Sequence, residues 1–233
     1  AWNENTAGLL LASPANPTGT RIDQNTLSDI ARLTANKGGF LIMDEIYQSL
    51  CYGSPAQSIL QITGAPSEEN GVVVVNSFSK YFGMTGLRLG WMVVPPQMLS
   101  TVEKLAQNLA ICPSTPAQWA ALACFGEESL IECERRRQVF SERRDFMLRA
   151  LPSIGLHLNS NPEGAFYLYL PAPYDSDRFC TDLLANAHVC AVPGKDFSAA
   201  DGHQMFRLSY ANSMENLERA AARLEKFMST LAR

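Results

Sequence analysis

The sequence predicts an α/β region followed by a smaller α+β region, from three observations. The runs GLLLA (Gly8 to Ala12), FLIM (Phe40 to Met43) and VVVV (Val72 to Val75) are apolar without alternation, as strands buried on both faces are. Helical patterns separate these runs, which is the signature of a parallel or mixed sheet covered on both sides. After Pro96 the pattern changes to long helices and then to short strand-like pieces.

In chain order, the first strand ends in the breaker string SPANPTGT. A helix is expected from about Thr26 to Lys37, with Leu27, Ile30, Ala31 and Leu33 inward and Gly38-Gly39 as its stop. The second strand runs into Asp44-Glu45 and the third into Asn76-Ser77. Leu87 to Val94 reads as a fourth, closed by Pro95-Pro96. Met98 to Ile111 reads as helix. Ser114-Thr115-Pro116 supplies a hydroxyl cap and Pro at the first helical position. The pattern that follows breaks near Gly126 and stops at Pro152. The charges from Glu132 to Arg144 read as a solvated helix face. Short strands are expected at Ile154 to Leu158, Ala165 to Leu170, His188 to Val192 and Met205 to Tyr210, with a helix near Asp177 to Ala187. The last helix is expected to be capped by Asn212 with Glu215 in a capping box, and to bury Leu217, Ala221, Leu224, Met228 and Leu231.

Composition removes several classes of function. The chain has 233 residues, 46% hydrophobic, with a net charge of −4, so disorder is not expected. A pI near 5.4 argues against nucleic-acid binding. No apolar run approaches a membrane span, and AWNENTAGLL does not read as a secretory signal. The six cysteines form no CxxC pair and read as free, mostly buried thiols in a reducing, cytoplasmic setting. His157, His188 and His203 are scattered, so no metal site is expected.

Chemistry in such sheets gathers at the carboxyl ends of the strands, which here carry Asn16, Asp44, Tyr47, Ser77 and Lys80. A partly desolvated strand-end lysine can act as an amine nucleophile. Ser77, Ser79 and Arg88 around Lys80 suggest a phosphate cradle. Lysine and phosphate site together suggest a phosphorylated aldehyde cofactor held as a Schiff base. Asp44 would then pair with a protonated pyridine nitrogen, making the ring an electron sink. Tyr47 and Asn16 could serve its phenolic oxygen. Tyr167 and Tyr169 alternate along a strand and read as packing residues.

SPANPTG, DEIY and SFSKYFGMTGLRLGW, with the spacings between Asn16, Asp44, Lys80 and Arg88, resemble the fold-type I pyridoxal phosphate enzymes of the class I/II aminotransferase family. FRLSYA (Phe206 to Ala211), PEGAFY (Pro162 to Tyr167) and PGKDF (Pro193 to Phe197) resemble later segments of the same family. The resemblance implies that residues 1–113 are the latter part of a mainly parallel three-layer cofactor-binding domain. Residues 114–233 would be a linking helix and a small α+β domain. It implies pyridoxal 5'-phosphate on Lys80, which also moves the substrate proton. Asp44 would hold the pyridine nitrogen, Asn16 and Tyr47 the phenolic oxygen, and Ser77, Ser79 and Arg88 the phosphate. Arg207, with Asn16, would bind the substrate carboxylate.

The implied reaction passes an amino group between an amino acid and a 2-oxo acid, in a homodimer. A β-lyase on the same scaffold, or the effector domain of an aminotransferase-like transcription regulator, are the competing expectations. The resemblance also implies that this chain enters after the front of the large domain. A glycine/hydroxyl phosphate loop, an aromatic that stacks on the ring and a tyrosine lent by the neighbouring subunit would all be missing. Weak or no activity is expected of a chain so truncated.

Overall fold

A computed structural model describes residues 2–54 and 57–231. The chain divides into two compact units, Ala1–Pro14 with Arg21–Arg135, and Ala15–Thr20 with Arg136–Arg233.

The first unit is built on a four-stranded sheet. Strand β1 (Gly8–Ala12) leads to helix α1 (Gln24–Asn36), then to β2 (Phe40–Asp44), the short α2 (Leu60–Thr63), β3 (Val72–Ser77) and β4 (Gly90–Val93). The spatial order is β1-β2-β3-β4; the first three strands are parallel and β4 is antiparallel. Helices α3 (Leu99–Ala110) and α4 (Thr115–Ala123) follow, and α5 (Glu127–Ser153) begins here.

Apolar strands and the inward stripe of α1 make one core: Leu27, Ala31, Leu41, Met43, Ile59, Val72 and Val74 pack together. The expected inward face of α1 needs one correction. Its buried residues are Leu27, Ala31 and Thr34, while Leu33 is half in solvent. At 100° per residue, position 33 lies well off the line through 27, 31 and 34. The helix also starts earlier, at Gln24, because the Asp23 carboxylate accepts from the Thr26 N–H at 3.0 Å.

The fourth strand is shorter than expected. Thr85–Leu87 form a 3₁₀ turn closed by Arg88 in the left-handed region (φ 52°), and pairing starts at Gly90 opposite Ser77. Helix α4 packs with the first unit rather than opening the second at residue 114. Ala117, Ala121 and Cys124 join Phe78 and Leu89 in a second core. The break at Gly126 is present, but α5 carries Pro152 in its last turn and ends at Ser153.

The second unit holds β5 (Tyr167–Pro171), α6 (Ser176–Asp182), β6 (Val192–Pro193), β7 (Met205–Ser209) and α7 (Met214–Leu231). Its sheet runs β5-β7-β6, all antiparallel. No strand forms at 154–158. Instead the end of α5 is closed by Gly155 (φ 81°): its N–H donates to Pro152 O and the Leu156 N–H to Leu151 O. That double bond pattern with a left-handed glycine is a Schellman closure, and its apolar pair, Leu151 and Leu156, is buried.

His188 likewise caps a helical turn (Leu183–Ala187) in the left-handed region, leaving only two residues for β6. Helix α7 is capped by Ser213, whose Oγ accepts from the Asn216 N–H at 3.2 Å; Glu215 points to Arg219 instead. Its buried residues are Leu217, Leu224 and Phe227, with Ala221 and Met228 half-buried and Leu231 exposed.

Cys51, Cys124, Cys133 and Cys180 are buried, and Cys112 and Cys190 are exposed. Among the described residues no helix is long and apolar enough to cross a membrane.

Candidate active site

In the first unit, the parallel register sets Asp44 opposite Ala12, the last residue of β1, and opposite Val75, two residues before the end of β3. The Asp44 carbonyl accepts from the Ser13 N–H at 3.2 Å, and Oδ1 accepts from the Ile46 N–H at 2.9 Å. Among the described residues no protein group donates to its Oδ2.

Glu45 points the other way and is 3% exposed. Its Oε1 accepts from the Ile59 N–H at 2.7 Å and the Ser58 hydroxyl at 3.1 Å. Burial pushes the Glu45 carboxyl above its ordinary range; the two hydrogen bonds oppose this and the Asp44 charge adds to it. The DEIY segment therefore splits into one carboxylate with an open oxygen and one that pins the strand end to residues 58–59. Sequence reasoning left Glu45 without a role. Its place next to a buried strand was the available signal.

Tyr47 is buried, and the half-buried Lys80 places Nζ 5.5 Å from the centroid of its ring. Lys80 stands three residues past β3, in a turn closed by its own carbonyl accepting from the Gly83 N–H at 3.0 Å. Ser77 and Ser79 come together: their hydroxyls are 2.9 Å apart, and Ser77 Oγ accepts from the Ser79 N–H at 3.0 Å. The Ser77 hydroxyl also lies 3.0 Å from the carbonyl of Leu89, the residue after Arg88. Arg88 is exposed, with Nη1 donating to Thr85 O at 2.9 Å. An aromatic group of Phe78, Phe82, Trp91 and Phe125 packs beneath this loop, with centroids 4.9 to 5.9 Å from Phe78.

Asn16 and Arg207 both lie in the second unit. The Arg207 Nη1 donates to Asn16 Oδ1 at 2.6 Å. Its guanidinium carbon sits 4.2 Å from the centroid of Tyr167 and 4.7 Å from that of Phe197. Tyr167 is buried, as a packing residue is, and it also faces this guanidinium; Phe197 was not singled out by sequence reasoning. The missing signal was register: Tyr169 pairs with Arg207 across β5 and β7, so Tyr167 lies on the same face one step along. The turn that presents Asn16 belongs with the loop before β5, where Gly19 O accepts from the N–H groups of Glu163 and Gly164, each at 2.9 Å.

Chemically, the first unit offers an amine, an open carboxylate oxygen and paired hydroxyls where buried parallel strands end. The second offers a guanidinium aligned by an amide. Such groups stand at the strand ends, where open α/β sheets generally bind their ligands.

Comparison with known proteins identifies the family. The profile described as "Aminotransferase class I and II" matches residues 1–224, and the chain belongs to that family. It is similar to a valine–pyruvate aminotransferase of Mycobacterium tuberculosis, 38% identical over 225 residues, covering 95% of this chain and 57% of the relative. An aspartate aminotransferase of Thermotoga maritima is 33% identical, covering 97% of this chain and 57% of its own length. The crystal structure of an aminotransferase from Mycobacterium tuberculosis superposes with a TM-score of 0.91 at 36% identity, over 98% of this chain and 59% of that one. The chain therefore spans a little over half the length of the curated relatives it matches. Members of the family use pyridoxal phosphate as cofactor.

Proposed function

We propose that this chain carries the lysine-bearing and carboxylate-binding parts of an aminotransferase, which passes an amino group between an amino acid and a 2-oxo acid. The observation that carries the reading is the grouping of Asp44, Tyr47 and Lys80 at the ends of adjoining buried strands, with an Asp44 oxygen left open.

The donor set suits pyridoxal phosphate. Lys80 would be the amine that holds the cofactor. The open Asp44 oxygen suits a protonated ring nitrogen, Tyr47 and Asn16 a phenolic oxygen, and Ser77, Ser79 and Arg88 a phosphate. When bound, the cofactor supplies an electron sink for the carbon that loses its proton. Lys80, as the general base, takes up and returns that proton. Arg207 receives the carboxylate common to both substrates. Its planar fork supports two parallel hydrogen bonds, a task Lys performs poorly.

The same reading includes dimerisation and weak turnover by the 233 residues alone. Both are supported by large apolar side chains left exposed in the first unit, among them Leu10, Leu109, Ile111, Trp119 and Phe125. Coverage of only 57% of the relatives supports the weak turnover further.

The test loads the protein with pyridoxal phosphate, adds single amino acids and assays the cofactor. Conversion to pyridoxamine phosphate with release of the matching 2-oxo acid supports the reading. Ammonia and pyruvate without the amine form of the cofactor would replace it with a lyase.

A further inference from the structure

Arg207 is restrained on three sides within the second unit. Tyr167 covers one ring-facing side at 4.2 Å, Phe197 presents its ring at 4.7 Å, and Asn16 Oδ1 accepts from Nη1 at 2.6 Å. Its Nε is buried and has no hydrogen-bond partner. A long cationic side chain free to sample its rotamers must be ordered each time it grips a ligand. One already held by π faces and an amide is not.

Phe197 is placed by a turn built for close approach. Gly194–Asp196 form a 3₁₀ turn, and the N–H groups of Phe197 and Ser198 both donate to Gly194 O at 2.9 and 3.0 Å. A side chain on Gly194 would meet Gly202 O at 2.5 Å and Met205 O at 2.6 Å, so only glycine lets this turn sit against the start of β7. Lys195 on the same turn pairs with Asp177 and, at 3.5 Å, with Asp175. The edge of the Phe197 ring meets Tyr169, centroids 6.1 Å apart at 88°. Phe197 itself is only half-buried, so it is not simply a core residue.

We propose that Phe197 is a positioning residue: with Tyr167 it clamps the Arg207 guanidinium so that its fork is pre-set for the carboxylate of the amino acid or 2-oxo acid. This rests on the reading of Arg207 as the carboxylate ligand, and the test separates the two.

The first arm needs no ligand. In ¹⁵N–¹H spectra of the arginine side chains, the Arg207 Nε–H is assigned by its loss in Arg207→Lys. The expected signal is displaced by ring currents and exchanges slowly with water. In Phe197→Leu and in Phe197→Met, which fills the volume without a π face, it moves toward the other arginines and exchanges faster. Phe197→Tyr preserves it. An unmoved signal in both ring-less variants overturns the proposal.

The second arm measures pyruvate affinity of the protein loaded with pyridoxal phosphate. Loss of the ring should weaken it about 5- to 10-fold, the scale of a partly desolvated cation–π contact, with Phe197→Tyr within about 2-fold of the parent. Weakening by Arg207→Lys without weakening by Phe197→Leu overturns the clamp alone. No weakening by Arg207→Lys overturns the carboxylate reading, while the spectra still decide whether Phe197 holds the side chain.

Discussion

Glu45 fixes the strand end that presents Asp44, so its removal tests how the site is held. In Glu45→Ala the buried Ile59 N–H loses its acceptor at 2.7 Å, and the Ser58 hydroxyl loses one at 3.1 Å. An orphaned buried donor costs about 1–3 kcal/mol and a half-buried hydroxyl bond about 1 kcal/mol more, so unit stability should fall by about 2–4 kcal/mol. At about 2–4 °C per kcal/mol for a protein of this size, the first unit's Tm should drop by roughly 4–16 °C. Glu45→Gln keeps an acceptor oxygen in place and removes the buried charge. It should match or exceed the parent at pH 7.

The pH dependence has a definite sign. The Glu45 carboxyl is raised in the folded state, so the folded protein holds its proton to higher pH than the unfolded chain does. Its contribution to stability is full below the unfolded value, and is lost as pH rises from there through the raised folded value. Calorimetry from pH 4 to pH 8 should show this decline in the parent and not in Glu45→Gln. If Gln is as damaging as Ala, or Ala costs under about 0.5 kcal/mol, the hydrogen-bond account of Glu45 is wrong.

Three further outcomes follow from the packing. Ser213→Ala should destabilise α7 by about 1 kcal/mol, as loss of an N-cap does, and Asn212→Ala by less; urea unfolding of each variant checks the assignment of the cap. Gly194→Ala should cost about 1–3 kcal/mol through collision with backbone oxygens at 2.5 and 2.6 Å, read as a lowered midpoint of the second unit. A thiol reagent at pH 8 should label the exposed Cys112 and Cys190 quickly. Cys180, buried and pushed up to about 11, should react only on unfolding; early labelling of Cys180 would contradict its placement.

The strands and strand-end residues were legible because they depend on local patterns. An unbroken apolar run bounded by a carboxylate or a hydroxyl reads the same in sequence and in structure, as at Phe40–Asp44 and Val72–Ser77. What was not legible depended on backbone conformations or on pairing across the chain. Ile154 and Leu156 look like strand residues but close a helix, because Gly155 takes a left-handed conformation. Leu87 and Arg88 look like the start of β4 but form a turn for a related reason, with Arg88 left-handed. Tyr167 and Phe197 reach Arg207 only through the β5–β7 register and the interlock of Gly194 with Gly202. The grouping of residues 15–20 with the second unit needs the bonds from Glu163 and Gly164 to Gly19, which no pattern near Asn16 announces.

The central claim is that Lys80, among the chain's lysines at 37, 80, 104, 195 and 226, is the one built to carry the cofactor. Titrating the purified protein with pyridoxal phosphate, reducing with borohydride and mapping the modified peptide tests it most directly. The account predicts a single label on Lys80, absent in Lys80→Ala. Label spread over Lys37, Lys104, Lys195 and Lys226, or undiminished in Lys80→Ala, would contradict it.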